Sequence, residues 1–65
     1  MPKYPEIKVQ LTGSDGTAFA ILGKVSKALR RAGVSNEEIE QFTKEATDGD
    51  YDNLLRVCME WVDVG

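Results

Sequence analysis

Between Thr17 and Gly33 the apolar positions recur at intervals of three and four. Ala18, Ile21, Leu22, Val25, Ala28, Leu29 and Ala32 share one stripe, and Lys24, Lys27, Arg30 and Arg31 share the opposite side. This spacing predicts an amphipathic helix with one buried face and one solvated, positive face. Asp15 or Thr17 supplies an acceptor for the first turn, and Gly33 stands where a left-handed residue would end the last. Gly23 lies inside the helix, off the stripe, where it costs about 1 kcal/mol relative to alanine; close approach of another element or a ligand would be one reason for it.

The pattern changes on either side. Ile7, Val9 and Leu11 alternate with Lys8, Gln10 and Thr12, which predicts a half-buried strand from Ile7 to Leu11 after an extended arm marked by Pro2 and Pro5. Beyond Gly33, Ser35 and Glu38 have capping-box spacing, and Val34 and Ile39 have that of a hydrophobic staple. A second helix is therefore expected from Asn36 to Thr47, with Ile39, Phe42, Thr43 and Ala46 facing inward. Asp48-Gly49 breaks it, and Asp50 is placed to cap a third helix from Tyr51 to Val62. That helix is apolar around more than half its circumference: Tyr51, Leu54, Leu55, Cys58 and Val62 on one side, with Val57, Met59 and Trp61 widening it.

These elements predict one small α+β domain, mostly α, spanning residues 1–65: an N-terminal strand followed by a three-helix bundle. A lone strand needs a partner for its backbone groups. The other candidate is Trp61-Val62-Asp63-Val64, which leaves either pairing with the first strand inside the chain or strand pairing between subunits. The expected helical core is Ile21, Leu22, Val25, Leu29, Ile39, Phe42, Leu54, Leu55 and Cys58.

Composition narrows the class. With 42% hydrophobic and 29% charged residues, the 65-residue chain has the balance of a globular domain, and its one cysteine allows no intrachain disulfide. A cytoplasmic protein without a signal peptide or membrane segment is expected, since no run approaches the ~20 apolar residues that span a bilayer. The net charge of −3 is unevenly spread: residues 17–34 carry four cations and no acid, and residues 35–65 carry nine acids against Lys44 and Arg56. Part of the basic face could meet the acidic half of the same molecule.

Candidate chemistry is sparse. The Walker pattern fails at Ala18 and Val25, and Asp48, Asp50 and Asp52 open like a calcium loop that then lacks its glycine at Asn53 and its glutamate at Met59. Without histidine, Cys58 has no partner base, and one cysteine makes no zinc site. The reading is of a protein that is not an enzyme, with no catalytic residue, metal or cofactor.

The segment Leu29 to Val62 resembles the ubiquitin-associated (UBA-like) family of three-helix modules. Ala32-Gly33-Val34 stands at the first loop, Ser35 with Glu37 and Glu38 opens the second helix, and Ala46-Thr47-Asp48-Gly49-Asp50 resembles the second loop, ahead of a helix containing Glu60-Trp61. The resemblance implies three-helix architecture over that half; ubiquitin binders typically present methionine and an aromatic around the first-loop glycine, where this chain has Ala32 and Val34. Through Leu11-Thr12-Gly13, residues 16–23 and residues 49–55 the whole chain also resembles small uncharacterised bacterial proteins, which implies a bacterial or mobile-element origin and supplies no activity.

The function expected is a non-catalytic protein-interaction or regulatory module, binding a protein partner or itself. Its surface would combine Val57, Met59 and Trp61 of the wide third helix with Ile7 and Val9 of the unpaired strand, because aromatic and methionine side chains enrich interface centres and a strand edge recruits strands. In the competing arrangement Trp61 folds onto the first strand within one subunit, and Val62 and Val64 pair with it. The alternative function is nucleic-acid binding along Lys24, Lys27, Arg30 and Arg31.

Overall fold

The computed structural model describes residues 1–11 and 16–65. In chain order it contains β1 (Tyr4–Val9), α1 (Ala18–Arg31), α2 (Asn36–Ala46), α3 (Tyr51–Trp61) and β2 (Val62–Val64). Each helix starts on a side-chain cap. Thr17 Oγ1 accepts from the Ala20 amide at 3.3 Å, Ser35 Oγ from Glu38 at 3.3 Å and an Asp50 carboxylate oxygen from Asn53 at 2.9 Å, each satisfying a first-turn donor. The alternative cap, Asp15, lies outside the described residues.

Helix α1 ends in a Schellman turn. The Val34 amide donates to the Leu29 carbonyl and the Gly33 amide to that of Arg30, both at 3.1 Å, and Gly33 takes φ +87°. The link from α2 to α3 is tight for a different reason: a Cβ on Gly49 would stand 2.9 Å from Asn53 Cβ, and the Asn53 amide group donates to the Glu45 carbonyl at 3.0 Å. Glycine keeps that turn closed, and asparagine satisfies the end of α2.

The two strands form a two-stranded parallel ribbon, Lys8 aligned with Asp63 and Val9 with Val64, with an irregularity between Tyr4 and Lys8. Strand pairing thus occurs inside the chain. Parallel strands require a long crossover, which the three helices provide, and α3 runs into β2 without a loop because its C-cap, Val62, is already extended at φ −134° and ψ 165°. Helix α3 is accordingly shorter than expected, ending at Trp61.

Strand β1 runs Tyr4–Val9 instead of Ile7 to Leu11. Pairing starts early because the Lys3 amide donates to the Glu60 carbonyl at 2.8 Å, and the ribbon runs out at Gly65, whose carbonyl accepts from Leu11 at 3.3 Å.

Ile7 and Val9 face the helices, and Ile21, Val25 and Leu29 meet them from α1; Ile39, Phe42 and Ala46 of α2 and Leu54, Val57, Cys58 and Trp61 of α3 complete the core with Val62. Leu22 and Leu55, expected inside, are half-buried at its margin. Thr43, also expected inside, is exposed, and its hydroxyl donates to the Ile39 carbonyl at 3.0 Å. No helix among the described residues is long and apolar enough to cross a membrane.

Candidate functional site

The expected apolar interface does not form as a surface. Of its five residues, Val57, Trp61, Ile7 and Val9 are buried within the single chain, and Met59 alone is exposed, at 56%. The cause is the N-terminal arm. Trp61 is 4% exposed because Tyr4 lies against it at 6.2 Å between ring centroids, Phe42 meets it edge-on at 5.6 Å, and Lys3 Nζ stands 4.4 Å from its centroid. Its indole N–H donates to Glu45 Oε1 at 3.1 Å. Trp61 therefore fastens β1 to α2 and α3, in the competing arrangement in which it folds onto the strand. Met59 remains beside a shallow apolar groove of about 280 Å³ shared with Leu11, Tyr51, Leu55 and Val64.

Glu38 completes this fastening. The capping-box spacing aims its carboxylate at the Ser35 backbone, but its two oxygens receive the Tyr4 hydroxyl and Lys3 Nζ, the latter at 3.0 Å. The Tyr4 hydrogen bond, then Lys3, holds Glu38 below the usual carboxylate range, and the same bond raises the Tyr4 phenol. Glu45 is lowered chiefly by the Trp61 indole and then by Gln41, whose side chain donates at 3.1 Å.

The cations expected on α1 lie on its exposed side, and three of them border the largest groove described. This groove, about 610 Å³, runs between residues 6–10, on β1 and just past its end, and the line Lys24, Lys27, Ala28 and Arg31 of α1 with its C-cap Ala32. Lys8 adds a fourth cation, and Glu6 is the one carboxylate in its lining among the described residues. Arg30 is exposed outside it. Among the described residues Lys27 and Arg31 make no ion pair, so the acidic half of the molecule does not neutralise them. Among the described residues Gly23 has no neighbour within 4 Å of an added Cβ and takes no close approach from another element.

The second wall of the groove is a strand edge. The Val9 carbonyl accepts from the Gly65 amide at 2.9 Å, and the Leu11 amide donates to the Gly65 carbonyl. Backbone polar groups alternate in direction along a strand. The N–H and C=O of Lys8 and Gln10 therefore point away from β2, toward the edge that no described strand covers. Lys8 and Gln10 are the site residues that sequence reasoning missed. Their outward alternation is visible in the sequence, but which edge stays open depends on where β2 docks.

Other candidate chemistry is accounted for by structure. The Cys58 thiol is buried in the core, and burial pushes it up to about 11, leaving almost no thiolate at neutral pH. Asp50 is occupied as the α3 cap, and no cluster of three or more potential metal ligands occurs among the described residues. Comparison with protein-family models, curated proteins and solved structures finds no match for the chain.

Proposed function

We propose that the chain is a non-catalytic interaction module that holds an acidic segment of a protein partner in the groove between β1 and α1. One observation carries the reading: Lys27 and Arg31 line one wall of a concave surface and Lys8 lines the other, and among the described residues no carboxylate pairs with Lys27 or Arg31. Four cations against Glu6 leave the concave site with an excess of positive charge, which raises the local concentration of the opposite charge. The groove is open and lined by cationic and apolar side chains together, which suits a peptide chain better than an enclosed small substrate. A cytoplasmic setting goes with this proposal, on the strength of a single free cysteine kept inside the core.

Titration of a fluorescent Glu/Thr peptide of about eight residues tests the reading. Saturable binding at low salt is expected, weakened about tenfold or more in Lys27→Glu/Arg31→Glu, where two attractive contacts become repulsive. No saturable binding by the parent protein would end the proposal.

A second reading, nucleic acid lying along α1, is favoured by one observation: Arg30 is exposed next to Arg31 but outside the groove, so the cationic face of α1 is wider than the groove. Phosphate contacts depend on charge and not on the strand edge. Under that reading Arg30→Glu weakens binding of a single-stranded oligonucleotide as much as Arg31→Glu does. Under the peptide reading Arg31→Glu is the more damaging and the oligonucleotide binds poorly.

A further inference from the structure

The groove has features that charge alone does not require. Lys8 and Gln10 direct their backbone N–H and C=O groups into it, following the alternation fixed by the Val9 and Leu11 bonds to Gly65. On the α1 side, the lining residues beside the cations are Ala28, between Lys27 and Arg31, and Ala32, next after Arg31. Short side chains there leave room for a backbone to come down beside β1.

We propose that the acidic partner enters as a third strand, hydrogen-bonded to the outer edge of β1, with carboxylates at alternate positions turned toward Lys27 and Arg31. This rests on the reading above that the groove takes an acidic protein segment, and it names how that segment is held. The spacings agree. Lys27 and Arg31 are four residues apart on one helix, about 6 Å along its axis at 1.5 Å per residue. Alternate residues of an extended chain are about 6.6 Å apart and point to the same face. Two carboxylates at positions i and i+2 thus match the two cations, whereas carboxylates at successive positions would put every second one on the solvent face.

The ribbon also has a free edge for such a partner. With two strands, β1 has one edge paired by β2 and the other uncovered among the described residues. An uncovered edge presents a row of donors and acceptors that a further strand satisfies. Lys8, whose side chain is exposed, is the sort of edge residue that discourages pairing with an arbitrary apolar strand while admitting an acidic one. The edge and the charge therefore select together.

The test uses the full chain and alternating Glu/Thr peptides of about eight residues, N-methylated at every odd or at every even peptide bond. N-methylation removes amide donors and blocks one edge of a strand, leaving charge unchanged. The unmodified peptide is expected to bind and to slow amide hydrogen exchange at Lys8 and Gln10. One methylated peptide should keep that affinity, and the other should lose about tenfold or more, as two strand hydrogen bonds go.

If both methylated peptides bind like the parent, or both lose binding equally, the strand mode is wrong while the acidic-partner reading stands. If the unmodified peptide fails to bind and a single-stranded oligonucleotide binds, both fall. Exchange at Lys8 and Gln10 unchanged by a bound peptide would also overturn the strand mode.

Discussion

Three glycines of this chain carry different physics, and substitution by alanine separates them. Gly33 has φ +87° with open space around it, so Gly33→Ala costs about 1–2 kcal/mol from backbone strain alone. At Gly49 an added methyl would meet Asn53 Cβ at 2.9 Å and Cγ at 3.0 Å, and relief requires moving the side chain that closes α2; a loss of about 1–3 kcal/mol is expected. Gly23 is helical and unobstructed, so Gly23→Ala stabilises the chain by about 0.5–1 kcal/mol. Urea denaturation of the three variants checks all three signs. Gly33 was legible from the sequence because a helix stop is a local event. The demand on Gly49 was not, since it comes from a side chain in the next helix.

At the scale of elements, helix ends were the most legible feature. Thr17, Ser35 and Asp50 each cap the helix their position implied, because capping is decided within one turn. Asp50 makes the shortest of the three capping bonds, 2.9 Å against 3.3 Å, and starts the helix that carries Trp61. Asp50→Ala should cost about 1 kcal/mol and Asp50→Asn much less, since asparagine is an equally good cap; thermal melts of the two variants make the comparison. The extent of β1 was less legible. Nothing local separates Tyr4 from an arm, and its inclusion follows from contacts with Trp61 and Glu38, residues remote in the chain. What covers the wide apolar surface of α3 is likewise not local: Tyr4 and Lys3, more than fifty residues away in the chain, lie against Trp61.

For the molecule as a whole, the contact between the N-terminal arm and the helices makes stability depend on acid. Glu38 and Glu45 are both held below their ordinary value of 4.5 in the folded chain. A carboxylate lowered by folding contributes stability that is fully present above its unfolded value and is lost as pH falls through its folded value. Stability should therefore decline from about pH 4.5 downward, and the decline should be shallower in Glu38→Gln/Glu45→Gln. Both groups reach solvent, so the effect is modest and weakens with salt. Urea melts across that range, for parent and double variant, measure it; equal slopes would mean that neither contact differs in strength between protonation states.

What the amino-acid sequence determined by itself was the set of elements: one strand, three capped helices, the glycine stop after α1 and the cationic stripe from Lys24 to Arg31. Those depend on periodicity and on hydrogen bonds closed within a few residues, so neighbours along the chain are enough to specify them. The tertiary structure decided which of two arrangements Trp61 adopts, that Val62–Val64 pairs with β1 in parallel, and that Val57, Ile7 and Val9 are interior. It also decided that Lys8 and the outer edge of β1 lie beside Lys27 and Arg31. Each of these sets residues from opposite ends or distant turns side by side, and their outcome depends on how the apolar stripes share a single core. A stripe records that a face must be buried, but what buries it is settled only when all the elements are packed together.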